Sequence, residues 1–432
     1  MSVFIGSIPN AEKDDLELAQ RILRGQEDLK GSIGDLREQL LGYLKKSENL
    51  AEITEENIFL FNKGRDSIYF YLNTLGLNEG DEVIVQAFTC VAVVAPILWN
   101  NLKPVYVDID PQTFNMDLSL LQKRITQKTR AVVIQHTFGN IADMQGVKNI
   151  VEEVNKQREQ KERIRIIEDA AHIFPSDFKG AHSIVGKYSD MLLFSFSQDK
   201  SISSTQGALS VILDKEVLDI AKENYSKLHK PNKKESLYNA RYIRLWSLIK
   251  KYYFTRIIPF TNITIGRVLI VLFRSLGLIK KQAEANTTEF LGIKKLSQIQ
   301  AVLLGNQLKK VSKINKKREK ITEFYNTNLK EEFRFKTKSN VLLRYPVLLK
   351  NKIEIKQKLL EKEIIAGNWY SSVVHPLAKE ELVKVNYMYG SCPVAEKVGS
   401  HILNLPTNIE VTDKDAREIV EIVNNFAKPF NI

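Results

Sequence analysis

Short apolar runs alternate with stretches of helical period along the first half of the chain. Residues 58–61, 80–85, 104–109, 130–135, 164–168 and 191–196 each read as a short strand, the second opened by a turn at Gly80. Between them, residues 68–75, a segment from about 88 to Asn100, and the polar segment 144–160 read as helices. Residues 11–45 are also helical in pattern, with breaks at Gly25 and between Gly31 and Gly34. Strands that alternate with helices predict an α/β fold: a three-layer α/β/α arrangement around a mostly parallel sheet. After residue 213 the alternation stops. It returns as helix near 290–308, followed by a lysine-rich helical run over 309–320 that reads as a solvated face. From residue 333 onward the pattern is α+β, with a strand over 341–349 and helices over 352–362 and 414–426. The expected organisation is an N-terminal helical segment at 1–50 and a large domain at 51–330 containing an insertion at about 226–282. A smaller α+β domain follows at 331–432.

In mostly parallel sheets, ligands sit beyond the carboxyl ends of the strands. His136, Asp169 and Lys200 each fall at or just after such an end. Lys200 lies among small hydroxyl residues immediately after an apolar strand, where a cofactor aldehyde can hold a lysine as a Schiff base. The plain alternative is a loop lysine in water. The turn Asn62-Lys63-Gly64-Arg65-Asp66-Ser67 joins a strand to a helix start, where outward-pointing amides favour a phosphate. Asp66 carries the wrong charge to face a phosphate and is expected to cap the helix.

Charge and composition narrow the function classes. The net charge of +12 suggests a nucleic-acid partner until it is located: residues 226–282 hold eight lysines and five arginines against one acid, Glu235, so this segment alone carries the excess. A basic field confined to one segment points to a local anionic partner and away from a DNA-binding body. Two distant cysteines, Cys90 and Cys392, give no disulfide framework and fit a reducing compartment. Residues 1–20 have no basic start and no long apolar run, so a secretory signal is not expected. Six histidines without a close pair make a metal site a poor expectation.

Pyridoxal phosphate needs a lysine, a carboxylate at its pyridine nitrogen, donors for its phosphate and a flat group against its ring. Asp169 follows a strand, Lys200 lies downstream, and Gly64 to Ser67 offers the phosphate turn. At this point the chain resembles the DegT-type sugar aminotransferases of the fold-type-I pyridoxal phosphate enzymes. The resemblance rests on Gly64-Arg-Asp-Ser, Gly80-Asp-Glu-Val-Ile-Val, Pro104-Val-Tyr-Val-Asp-Ile-Asp, His136-Thr-Phe-Gly-Asn-Ile-Ala-Asp-Met144, Glu168-Asp-Ala-Ala-His172, Phe194-Ser-Phe-Ser-Gln-Asp-Lys200 and Asn404-Leu-Pro406. It covers most of the chain except about 215–288.

The resemblance implies that Lys200 holds the cofactor and moves a proton between Cα and C4′, and that Asp169 pairs with the pyridine nitrogen. It places His172 on the phenolic-oxygen side of the ring, and Ser195 with the amides of Arg65 and Asp66 at the phosphate, Gly64 and Cys90 also belonging to the cofactor site. His136 is expected to serve packing. The implied activity is transfer of an amino group, with glutamate as donor, to a keto group of a nucleotide-linked sugar. A cytoplasmic homodimer acting in polysaccharide biosynthesis is implied as well. Other readings are a sugar dehydratase of the same family, where a histidine replaces the lysine, and a degenerate scaffold. Three departures stand out, the first being Gly207-Ala208 where the family has Gly-Gly after the lysine. Cys90 occupies the place of an aromatic that stacks on the ring, and Ile293-Lys-Lys-Leu296 stands where the family has Asn-Tyr-Arg-Met, whose Asn reaches the partner subunit's phosphate.

The basic segment carries one further expectation. Residues 241–254 mix basic and bulky apolar side chains, and residues 257–279 are mostly apolar. That length could span a bilayer, but Arg267, Arg274 and Lys281 repeat every seven residues on one helix face. An in-plane amphipathic helix over residues 241–281, on an anionic membrane surface, avoids burying those charges. The competing reading is helices that cover the sheet or join two subunits.

Overall fold

In a computed structural model, the structure describes residues 2–7, 10–257, 263–279 and 290–432. Seven strands form the central sheet: β1 (Ile58–Phe61), β2 (Glu82–Gln86), β3 (Lys103–Val107), β4 (Thr129–Gln135), β5 (Arg165–Asp169), β6 (Met191–Ser195) and β7 (Ala208–Ile212). Their spatial order is β1-β7-β6-β5-β4-β2-β3. All run parallel except β7, which is antiparallel to both its neighbours.

The strands read as unbroken apolar runs because both of their faces are covered. In β4, Val133 joins a cluster with Ile68, Val94 and Ile97 on one face, while Val132 and Ile134 pack with Met144, Val147 and Val151 on the other. The first cluster is built on α3 (Gly64–Thr74) and α4 (Val91–Trp99), the second on α6 (Met144–Asn155), which follows the short α5 (Leu118–Arg124). Toward β6, α2 (Ser32–Leu44) supplies Leu36, Leu40 and Leu44 to the layer under Leu192 and Phe194. This is the three-layer α/β/α arrangement expected.

The N-terminal α1 (Lys13–Leu23) packs on α8 (Lys233–Lys251), which follows α7 (Leu218–Ser226). Next come α9 (Ile265–Ser275), α10 (Gln298–Leu308) and α11 (Val311–Asn328). The lysine-rich run is not uniformly solvated. It is broken between α10 and α11, Lys310 is salt-bridged to Asp14 and Asp15, and Arg318 is buried. Nη1 of Arg318 donates to the Leu343 carbonyl at 2.7 Å and to Thr407 Oγ1 at 2.9 Å.

In the C-terminal part, β8 (Arg344–Leu348) pairs antiparallel with β9 (Ile402–Pro406), flanked by α12 (Lys352–Glu361), α13 (Pro393–His401) and α14 (Asp413–Phe426). Two short parallel pairings tie it to the rest: Val3–Phe4 on Ile364–Ile365, and Thr89–Cys90 on Val374–His375. The second pairing brings Trp369 and Tyr370 over the carboxyl ends of β5 and β6.

The basic insertion divides into two parts. Ile243 and Ile249 are buried, and Leu245, Trp246 and Tyr253 are partly buried in the cluster that α8 forms with α1 and α10. Lys250 is paired with Glu410 at 2.6 Å. The half of the segment from Arg241 to Phe254, expected to lie on a membrane, therefore turns much of its apolar face onto α1 and α10, while Arg244, Leu248 and Lys251 stay exposed. In α9, Val268, Val271 and Leu272 are exposed, Val271 by 69%, as is Leu276 just after the helix. Gly266 belongs to the helix for a packing reason: a Cβ there would lie 2.4 Å from the Tyr253 Cα, so only glycine lets α9 cross α8 this closely. Lys281 lies outside the described residues.

Candidate active site

Strand β5 ends on Asp169, which is 4% exposed and whose Oδ1 accepts the Ala171 amide at 3.0 Å. Burial raises its carboxyl pKa, and the nearby Lys200 ammonium works against that rise. Lys200 sits in the turn after β6, its amide on the Ser197 carbonyl at 3.2 Å. Its Nζ lies 5.0 Å from the centre of the Trp369 ring. Burial lowers the lysine pKa, Asp169 and Cys90 act against the fall, and Arg344 adds to it. Asp169 and Lys200, thirty-one residues apart in sequence, therefore face one another electrostatically across adjacent strand ends.

His172 is held from two sides. The Phe138 amide donates to Nδ1 at 3.0 Å, which places the proton on Nε2, and Nε2 faces the Tyr370 hydroxyl at 3.0 Å. Burial, with Lys200 and Arg344 close by, keeps its pKa well below the usual imidazole value, so the ring is neutral. Its plane is near-parallel to those of Phe138 (7°) and Trp369 (22°), each ring centre 5.9 Å away. The loop carrying Phe138 depends on Gly139, whose φ is +98° and where a Cβ would approach the Val341 carbonyl oxygen to 2.8 Å. The Phe138 carbonyl in turn accepts the Leu343 amide at 2.7 Å, which fixes β8 against the site.

The turn expected to hold a phosphate lies where β6 and α3 converge. A Cβ on Gly64 would lie 3.5 Å from Ser195 Oγ. Lys63 is the N-cap of α3 and makes no side-chain cap, so the start of that helix is left to other partners. Behind the turn, Gln300 Nε2 donates to Asn62 Oδ1 at 2.9 Å and to the Gln206 carbonyl at 3.1 Å. Arg65 is at the second helical position. Asp66 departs from the role implied for it, because its amide is spent on the Lys63 carbonyl at 3.1 Å. Its carboxyl, buried, accepts the Lys294 and Lys63 amides and has its pKa raised to about 7. Asp66 thus holds the helix start in place.

That raised pKa has a sign. In the unfolded chain the carboxyl ionises above roughly pH 4, and in the folded chain only above about 7. Folding therefore loses stability as pH rises through that window and no further above it. Asp66→Asn is expected to raise the unfolding midpoint by at least ~2 °C at pH 8 and hardly at all at pH 4. Thermal scans at both pH values check this. Equal shifts at the two would show that ionisation of Asp66 is not the cause.

Cys90 caps α4, its Sγ accepting the Ala92 amide at 3.5 Å, and it lies close enough to Lys200 to influence its protonation. Sequence reasoning missed the aromatic groups of the site. Trp369, Tyr370 and the buried Arg344 come from the C-terminal part, and only the length of the intervening chain separates them from recognition as neighbours. His136 is turned away: its Nε2 faces Glu168 at 2.9 Å, its Nδ1 accepts the Ala142 amide, and Glu168 also accepts the Gly186 amide. It fastens loops behind β4 and β5. Beside Ile293, Lys295 has its Nζ donating to the Ser226 carbonyl at 3.0 Å and lying over Tyr225.

The fold is that of the sugar aminotransferases. A structure of ntda from Bacillus subtilis with bound cofactor PMP matches with a TM-score of 0.66 at 22% identity, covering 98% of this chain and 84% of that one. The sugar aminotransferase CalS13 from Micromonospora echinospora matches with a TM-score of 0.65 at 15% identity, covering 98% of this chain and all of that one (100%). The model of the DegT/DnrJ/EryC1/StrS aminotransferase family matches residues 48–245 and 260–424, and the chain belongs to that family. Among curated relatives, GDP-perosamine synthase of Escherichia coli O157:H7 is 33% identical over 41% of this chain. The match spans about half of that relative, 46% of its length. The pleiotropic regulatory protein of Geobacillus stearothermophilus is 24% identical over 85% of this chain and 84% of its own length.

The residues present fit pyridoxal phosphate. A carboxylate and an amine face each other across strand ends, a neutral imidazole lies flat beside them, and a glycine-opened helix start meets a serine hydroxyl.

Proposed function

We propose that the chain is a pyridoxal phosphate-dependent aminotransferase that moves an amino group from glutamate to a keto carbon of a nucleotide-linked sugar. The observation that carries this reading is Lys200, its pKa lowered by burial, beside the buried carboxylate of Asp169. Pyridoxal phosphate, when bound, supplies an electron-withdrawing ring that stabilises charge at the amino carbon. Asp169 would hold the ring nitrogen protonated, and Lys200, whose charged form burial disfavours, would take a proton from the donor's Cα and return it at C4′. His172 and Trp369 flank the site with flat faces. Family membership and the sugar-linked names of the relatives support the acceptor class. The test is spectroscopic: purified protein is yellow, bleaches on adding L-glutamate, and regains colour with one member of a panel of nucleotide keto-sugars. No colour change with any amino acid would overturn the reading.

A homodimer fits exposed Phe290 and Leu291, of which Phe290 stacks on Tyr69 of α3 at 4.3 Å. The cytoplasmic, peripheral attachment is supported by α9 alone. No helix among the described residues is long and apolar enough to cross a membrane. The exposed Val268, Val271, Leu272 and Leu276 lie next to exposed Arg267 and Arg274, the pattern of a helix lying in an anionic lipid surface. The protein is expected to co-sediment with phosphatidylserine-containing vesicles, and Arg267→Glu/Arg274→Glu to lose most of that binding. Equal sedimentation of both proteins, or none by either, would remove the membrane claim.

A further inference from the structure

The turn that carries Lys200 has little apolar substance of its own. Residues 197–205 hold five hydroxyl side chains, and Ile202 is their single apolar side chain, buried at 1% exposure. A segment with so little apolar burial opens easily unless other elements hold it. The N-terminal segment does so on both sides of the lysine. Asp199 Oδ1 accepts the Ser7 amide at 2.6 Å, and the Ser201 carbonyl accepts Asn10 Nδ2, also at 2.6 Å. Both Asn10 and Asp199 are buried. A Cβ on Gly6 would lie 2.9 Å from Asp199 Oδ1, so the chain passes this carboxylate as closely as a glycine allows. Ser7 has a φ of +62°, a left-handed conformation that costs any residue with a Cβ. Ser201 Oγ donates to the His172 carbonyl at 3.4 Å, and the Tyr242 hydroxyl of α8 donates to Gln198 Oε1 at 2.7 Å.

The N-terminal segment is anchored away from the turn. Val3 and Phe4 pair with Ile364 and Ile365. The Phe4 carbonyl accepts Asn408 Nδ2 at 2.8 Å, its amide donates to Glu410 at 3.2 Å, and its ring meets Tyr253 of α8 edge-on with centres 5.0 Å apart.

We propose that the N-terminal segment is a clamp on the Lys200 turn, and that Asn10 is a positioning residue that sets, through the Ser201 carbonyl, where the lysine amine stands. This inference rests on the aminotransferase reading and deepens it. Asn10 acts through the backbone next to Lys200, while the Ser7 amide holds the side chain on the other side. Moving a proton between two carbons of one bound molecule tolerates little error in the place of the amine: a displacement of about 1 Å costs up to ~100-fold in rate.

The experiment compares the parent holoprotein with Asn10→Ala. Turnover is expected to fall by ~30-fold, with the KM for L-glutamate changed by less than threefold and the cofactor still bound. A second readout is the pH midpoint of the cofactor's absorbance, which follows the protonation of the nitrogen joined to Lys200. Asp169, Cys90, Arg344 and Asp199 act on that nitrogen, and burial disfavours its charged form. A slackened turn admits water, favours the charged form and moves the midpoint upward by about half a unit or more. Gly6→Ala crowds Asp199, moves both readouts the same way by a smaller margin, and takes the place of Asn10→Ala if that variant does not fold. Hydrogen exchange in peptides covering 197–205 is faster in either variant than in the parent. Turnover and absorbance midpoint equal to the parent's overturn the inference even where the unfolding midpoint drops, since a contact that only stabilises the fold moves that midpoint alone. A loss that falls on KM overturns it as well. A parent that takes up no cofactor sinks the aminotransferase reading instead. The clamp is then decided by exchange: faster exchange over 197–205 in Asn10→Ala upholds it, and unchanged exchange overturns it.

Discussion

Lys200→Ala is expected to abolish turnover while leaving the unfolding midpoint within about a degree of the parent. The reason for the first effect is chemical. Lys200 is the amine that faces Asp169 across the ends of β5 and β6, and holding the cofactor and moving a proton on it uses both groups. The reason for the second is structural. Its amine rests over the Trp369 face at 5.0 Å, and burial already disfavours its charge, so truncation removes little that stabilises the fold. The measurement pairs product formation with thermal unfolding and the absorbance of the bound cofactor. Undiminished turnover would remove Lys200 from the mechanism, and a collapse in stability would make it a structural residue.

Asp169→Asn separates charge from shape. Asparagine has the same outline, and its Oδ1 can still accept the Ala171 amide that Asp169 accepts at 3.0 Å. The bound cofactor should therefore remain. What is lost is the negative charge that keeps the ring nitrogen protonated, and a ring without that proton withdraws electrons poorly. Preorganised electrostatic groups of this kind are worth ~3–4 kcal/mol, so turnover should fall by ~10³-fold with cofactor still bound. The carboxyl is buried with its pKa raised, so it depends on the neighbouring cation to stay ionised. Turnover within twofold of the parent would make Asp169 a strand-end residue with no part in the chemistry. Loss of cofactor from the purified variant would instead assign it to binding.

Much of this was legible before any coordinates. Val132 to Ile134 and Met191 to Phe194 are apolar throughout because each strand is covered on both faces, so the sheet could be read from run length alone. Asp169, Ser195 and Lys200 could be found because chemistry gathers where such strands end. The helix start at Gly64 announced itself by its turn residues. The expected membrane segment came through only in part: alternating basic and apolar residues look alike whether the apolar side meets lipid or another helix, and α1 took one half of the segment while α9 kept the other exposed.

The sequence by itself determined the local matters: where strands and helices begin, which side chains stand at strand ends, and where the charge lies. These follow from hydrophobic period and turn chemistry, which act over a few residues. Only the tertiary structure decided what faces Lys200. Arg344, Trp369 and Tyr370 lie well over a hundred residues further along and carry no local mark of function. Two-residue pairings, Thr89–Cys90 with Val374–His375, and the Phe138–Leu343 hydrogen bond bring them over the site. Arg318 makes the same point inside α11. It sits in a lysine-rich run that reads as solvated, yet it is buried against β8 and Thr407, because burial depends on which elements meet in space and not on the neighbours along the chain.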